Sequence, residues 1–146
     1  PTRPEWHLRE GPYWIETLSK CGLQPSDIDI VFCTHLHADH VGWNTKLENG
    51  EWVPTFPNAR YITSRTEYHH WETETATSDT PVGHNSFTDS VLPIMKSGQM
   101  DLVTDGHALA PGLILTSSAG HTPGHMSIDV DCEGHMGVFC EIFHKP

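Results

Sequence analysis

An apolar run that ends at a cluster of metal-ligand side chains constrains this chain more than any other feature of it. Ile28-Asp29-Ile30-Val31-Phe32-Cys33-Thr34 is short and rich in β-branched and aromatic residues, the composition of a strand buried on at least one face. Directly after it stand His35, His37, Asp39 and His40. Side chains two apart on extended backbone project to the same side, so His35 and His37 are expected to face one point. Asp39 and His40 follow where the strand must give way to a turn, and can address a second point nearby. Neutral imidazole and carboxylate are ligands that zinc and other first-row divalent metals accept. The chain holds 12 histidines, so clusters arise more easily here than usual. A solvated run of histidines is the plainer alternative, and the apolar strand that stops at the ligands speaks against it.

Composition sets bounds on what such a cluster can serve. With 146 residues, a single domain spanning 1–146 and one ordinary core are expected. Nineteen acidic residues against 8 basic give a formal charge of −11. That disfavours nucleic acid and anionic membrane as partners, because both call for a basic face. Cys21, Cys33, Cys132 and Cys140 form no C-x-x-C pair and no dense framework, so a reducing compartment, the cytoplasm, is the expectation. No apolar run reaches the roughly 18 residues of a membrane-spanning helix. The first residues carry no signal-peptide pattern, although Pro1 need not be the natural start.

Along the chain, Trp14, Ile15, Leu18 and Cys21 sit at helical spacing over residues 12 to 21, with Gly22 as C-cap. Pro25-Ser26-Asp27 turns into the strand, and a short helix is expected to begin at Val41-Gly42-Trp43, after His40. Its N-terminal dipole would then lie near the acidic ligands. Asn49-Gly50 marks a hairpin, Arg60-Tyr61-Ile62-Thr63 a strand, and Ser64-Arg65-Thr66-Glu67 a capping box opening a helix to about Glu72. The polar, Thr-rich stretch from Thr73 to Asn85 reads as a surface loop or a lid. Ser86 caps a helix carrying Phe87, Val91, Leu92, Ile94 and Met95, which Pro93 bends or shortens. Strands are expected at Asp101–Thr104, Gly112–Thr116, Met126–Asp131 and Met136–Cys140, with Glu133-Gly134 turning between the last two. Helices interleaved with strands, without an internal repeat, fit a mixed α/β layer architecture.

At H-x-H-x-D-H the chain resembles the metallo-β-lactamase fold superfamily. Ser118-Ala119-Gly120-His121-Thr122-Pro123-Gly124-His125 is similar to the G-H-T-P-G-H segment of that family. Pro4-Glu5-Trp6-His7 and Trp52-Val53-Pro54-Thr55-Phe56-Pro57-Asn58-Ala59 resemble the hydrolase branch that contains acyl-homoserine lactonases and related esterases. The likeness runs through nearly the whole chain. It implies an α/β (α+β) fold, a partial αβ/βα four-layer sandwich, with metals held by loops at one edge of the paired sheets.

The resemblance also implies a division of labour. His35, His37 and His121 would hold a first metal, and Asp39 and His40 would contribute to a second. A bridging carboxylate is expected from a Gly-Asp pair after Val138, but here the chain reads Cys140-Glu141. Glu141 is the candidate bridge, one methylene longer than Asp; Cys140 as a soft ligand is the lesser alternative, since neighbouring strand residues face opposite sides. The family's later His would fall beyond Pro146 and its opening β segment before Pro1. The expectation is therefore an internal fragment of a larger domain, weak or inactive as it stands.

The implied chemistry is hydrolysis of an ester, lactone or amide by a water shared between two zinc ions, with manganese or iron as other candidates. Asp39 would be the catalytic side chain, orienting the nucleophile or passing a proton to the leaving group. The partner is then a small-molecule substrate; neither its identity nor the oligomeric state is written in the sequence. Two alternatives stand beside this: a mononuclear iron dioxygenase of the same fold, similar to persulfide dioxygenases, and a non-catalytic zinc-binding remnant. His125 is expected to support or pack, and His144 to support or face substrate. His69 and His70 are expected on a helix surface, and Tyr13, Tyr61 and Tyr68 in core or surface without a catalytic role.

Overall fold

The computed structural model describes residues 13–140, with side chains from Ile15 onward. The organising strand, β1 (Ile30–Phe32), pairs in parallel with β4 (Arg60–Ser64), and β4 pairs in parallel with β5 (Met100–Val103). Tyr61, Ile62, Thr63 and Ser64 are all buried, so the middle strand is covered on both faces, as parallel sheets are when their crossovers pack over them. The first crossover carries a hairpin of β2 (Thr45–Glu48) and β3 (Glu51–Pro54), with both Asn49 and Gly50 at positive φ. Those angles make the tight two-residue turn whose twist matches its strands.

The second crossover holds α3 (Arg65–Thr77), α4 (Ser86–Ser90) and α5 (Leu92–Lys96), with α1 (Tyr13–Lys20) and α2 (Ala38–Val41) earlier in the chain. After β5 comes an antiparallel meander of β6 (His107–Ala110), β7 (Leu113–Ser117), β8 (Met126–Cys132) and β9 (His135–Phe139). Ile62 and Val103 of the parallel sheet pack with Leu115 and Met126 of the meander, and this cluster joins the two sheets. Cys33, Leu36, Val41, Tyr68, Phe87 and Val91 form a second cluster that seats α2, α3 and α4 around the end of β1. Ala59, Tyr61 and Ile94 pack α5 beneath the parallel sheet. Among the described residues no helix is long and apolar enough to cross a membrane.

The structure departs from the local expectations in four places. Helix α2 begins at Ala38, inside the ligand motif, with extended His37 as N-cap. Asp39 and His40 thus ride on the first turn and do not precede it. Helix α3 runs to Thr77, and within it Thr73 and Thr77 each donate a hydroxyl hydrogen bond to the carbonyl four residues back, at 2.8 Å. That satisfies the polar side chains without unwinding the backbone, and nothing breaks the helix before the turn ahead of Pro81. The expected helix from Ser86 is two short ones, since Pro93 in the first turn of α5 cannot continue a preceding helix. His107–Ala110 is a strand that no alternation announced.

Candidate metal centre

The end of β1 and the start of β8 are tied together by a hydrogen bond from Met126 N to the Thr34 carbonyl, at 3.0 Å. The loop before β8 is thereby drawn over the loop after β1, and the two histidine motifs meet. His35, His37 and His121 each offer a ligand atom, and those atoms lie within 4.8 Å of one another. His37 Nδ1 stands 3.1 Å from His121 Nε2 across 84 residues of sequence. Ring centroids of His35 lie 4.7 Å from His37 and 4.8 Å from His121, both nearly perpendicular.

Burial fixes the protonation of the innermost of the three. His35 is 0% exposed. Desolvation, reinforced by the neighbouring imidazoles of His40, His37, His121 and His125, pushes its pKa down to about 3. It is therefore a neutral imidazole at ordinary pH, the form that binds a metal. Its Nδ1 stands 3.0 Å from the Thr34 hydroxyl, which leaves Nε2 as the ring's other ligating atom. His37 is also lowered, by burial first and by His121 next, while Asp39 and Glu67 pull the other way. Three converging imidazoles are a donor set that fits zinc.

The remaining sequence candidates take distinct places. His40 packs against His35 with ring centroids 4.1 Å apart, and its Nε2 lies 3.4 Å from an Asp39 carboxylate oxygen. Asp39 is partly open to solvent beside the triad. Glu141 and His144 lie outside the described residues, as does Pro4-Glu5-Trp6-His7; Cys140 is an exposed free thiol. His125 is buried, its ring centroid 5.1 Å from that of His35 and its Nδ1 2.8 Å from Ser118 Oγ, which in turn accepts from Ser127 Oγ. His69 is exposed and pairs with Glu72, while His70 lies against Trp71.

Two residues, Glu67 and Trp71, belong to the site without having been assigned to it by sequence reasoning. Glu67 is 0% exposed. The expected capping box is half made: Ser64 Oγ accepts from Glu67 N at 3.4 Å. The Glu67 carboxylate instead accepts from Leu36 N at 3.0 Å, Trp71 Nε1 at 2.7 Å and Gly124 N at 3.0 Å. Trp71 also sets its ring edge-on to His37, centroids 5.2 Å apart. No local signal pointed to this role, since the sequence offers Glu67 only as part of a helix cap and its partners lie far along the chain.

The sequence model of the metallo-beta-lactamase superfamily matches residues 4–139. The chain belongs to that superfamily. Among its relatives, the N-acyl homoserine lactonase AiiA of Bacillus thuringiensis subsp. kurstaki is 27% identical over 128 residues, covering 88% of this chain and 43% of that protein. In three dimensions the metallo-beta-lactamase chain is similar to the hydrolase AbOPH of the beta lactamase superfamily, with TM-score 0.67 and 28% identity over 86% of this chain and 44% of the other. It is likewise similar to a probable metal-dependent hydrolase from Staphylococcus aureus, with TM-score 0.68 and 26% identity over 85% and 42%. The chain thus spans less than half the length of these superfamily relatives.

Proposed function

We propose that the chain carries the metal-binding part of a zinc-dependent hydrolase that opens a lactone, N-acyl homoserine lactones being the leading substrate class. The observation that carries this reading is the convergence of His35, His37 and His121, from two motifs far apart in sequence, on one point. The lactone class follows from relatives named as N-acyl homoserine lactonases. Zinc follows from the donor set, since three imidazoles suit it better than the two-His, one-carboxylate arrangement of iron oxygenases. The compartment proposed is the cytoplasm, in keeping with four free cysteines.

A divalent ion, when bound, supplies Lewis acidity: it lowers the pKa of a water and polarises a carbonyl oxygen. The chain's own residues do the rest. His35 stays neutral through burial and keeps its ring fixed against Thr34. Asp39, partly open to solvent and next to His40, would orient the nucleophile, take the proton that the attacking water releases and return it to the alkoxide that leaves when the ring opens. Asp39 and His40, with Glu141, would hold a second ion more weakly than the triad holds the first.

The test combines zinc stoichiometry with lactone opening. The protein is expected to take up one zinc tightly and a second more weakly. His121→Ala should cost most of the tight zinc and, with it, opening of an N-acyl homoserine lactone. Full zinc uptake by that variant, or lactone opening indifferent to it, would refute the reading.

A further inference from the structure

Glu67 is a buried carboxylate with no Lys or Arg in its ion pairs among the described residues. Its charge is met by three N–H donors, and each comes from a different structural unit. Leu36 lies between the ligands His35 and His37; Gly124 lies three residues after His121; Trp71 lies one turn along α3. Oε1 therefore holds the first ligand loop and Oε2 the second. Burying a charge is costly unless every lone pair finds a donor, so both loops must sit where their N–H groups reach it. Gly124 completes the fit. A Cβ there would stand 2.6 Å from Glu67 Cα and closer still to its nitrogen, so the close approach admits only glycine.

We propose that Glu67 is a positioning residue for the metal centre: it sets the distance between the His35–His37 loop and the His121 loop, and so the affinity and geometry of the bound ion. This rests on the metal reading given above. Preorganised support of this kind around ligands commonly accounts for a factor of ten to a hundred in affinity. Trp71 links the carboxylate to a ligand directly, since it donates to Oε1 and rests its ring against His37.

Two variants separate position from packing. Glu67→Gln keeps the size but offers one acceptor oxygen, so one ligand loop loses its anchor. Glu67→Asp keeps the charge but shortens the reach by a methylene, so it cannot span both loops. Affinity for cobalt(II) and zinc, measured by competition with a chromophoric chelator, is expected to fall by about tenfold or more in each. The ligand-field absorption of bound cobalt should shift, a change that a role in packing alone would not bring. Far-UV circular dichroism establishes that the variants are folded. Should Glu67→Gln fail to fold, Trp71→Phe decides, since it removes one donor and leaves the carboxylate; about threefold weaker binding is expected. Affinity and spectrum unchanged in the folded variant would overturn the proposal while leaving the metal reading intact. Wild-type protein that binds no ion, or that binds equally after His37→Ala, would overturn the metal reading and this proposal with it.

Discussion

Burial decides the chemistry of His35 more completely than that of its neighbours, and it does so at a cost that pH can expose. The unfolded chain would protonate this imidazole near the ordinary histidine value of 6.5, and the folded chain only at about 3. Between those values the unfolded state binds more protons, so stability rises with pH across the window and is lost as pH falls through it. In the presence of a chelator, the urea midpoint is expected to decline steadily below about pH 6.5, and His35→Gln should flatten that decline. A midpoint indifferent to pH in the wild-type protein between 6 and 4 would contradict the neutral, buried imidazole. At this scale the sequence was legible where chemistry depends on near neighbours. The i, i+2 spacing of His35 and His37 announced a shared direction, and a second motif supplied His121. Glu67 was legible only as a helix cap, because its partners lie 31 residues before it and 57 after. No local pattern encodes those partners.

Elements whose ends carry their own chemistry were legible as well. Asn49-Gly50 makes its hairpin, and Ser64 caps α3 through a bond to Glu67 N. Removing that hydroxyl in Ser64→Ala should lower stability by about 0.5–1 kcal/mol, the low end for an N-cap, given a bond of 3.4 Å. The urea midpoint should drop with the slope unchanged; no change would mean the cap contributes nothing. Elements shaped by satisfaction at a distance were harder. The Thr-rich end of α3 looks like a loop in sequence yet is helical, and its hydroxyls are satisfied by carbonyls one turn back. Helix α2 starts early because His37, extended and directed at the other ligands, leaves Ala38 free to begin the turn.

For the molecule as a whole, the parallel sheet and the meander meet through a few apolar side chains, with the histidines at one edge of the joint. The outer end of the meander is less sheltered: Met136, Val138 and Phe139 on β9 are 72%, 62% and 71% exposed. The Glu67 carboxylate sits where the two bodies join, and this has a kinetic consequence. Its bonds to Leu36 and Gly124 close long loops, and long-range closures tend to form late in folding. Until the meander docks, the carboxylate can remain hydrated, and only the last step commits it to the interior. Replacing it should therefore leave the folding limb of a chevron plot within about twofold of wild type and steepen loss from the native side, a φ-value near zero. A Glu67→Gln variant that folds slowly and unfolds normally would place this junction in the nucleus instead. On the late-docking order, the protein's half-life, more than its rate of formation, is what this one buried charge controls.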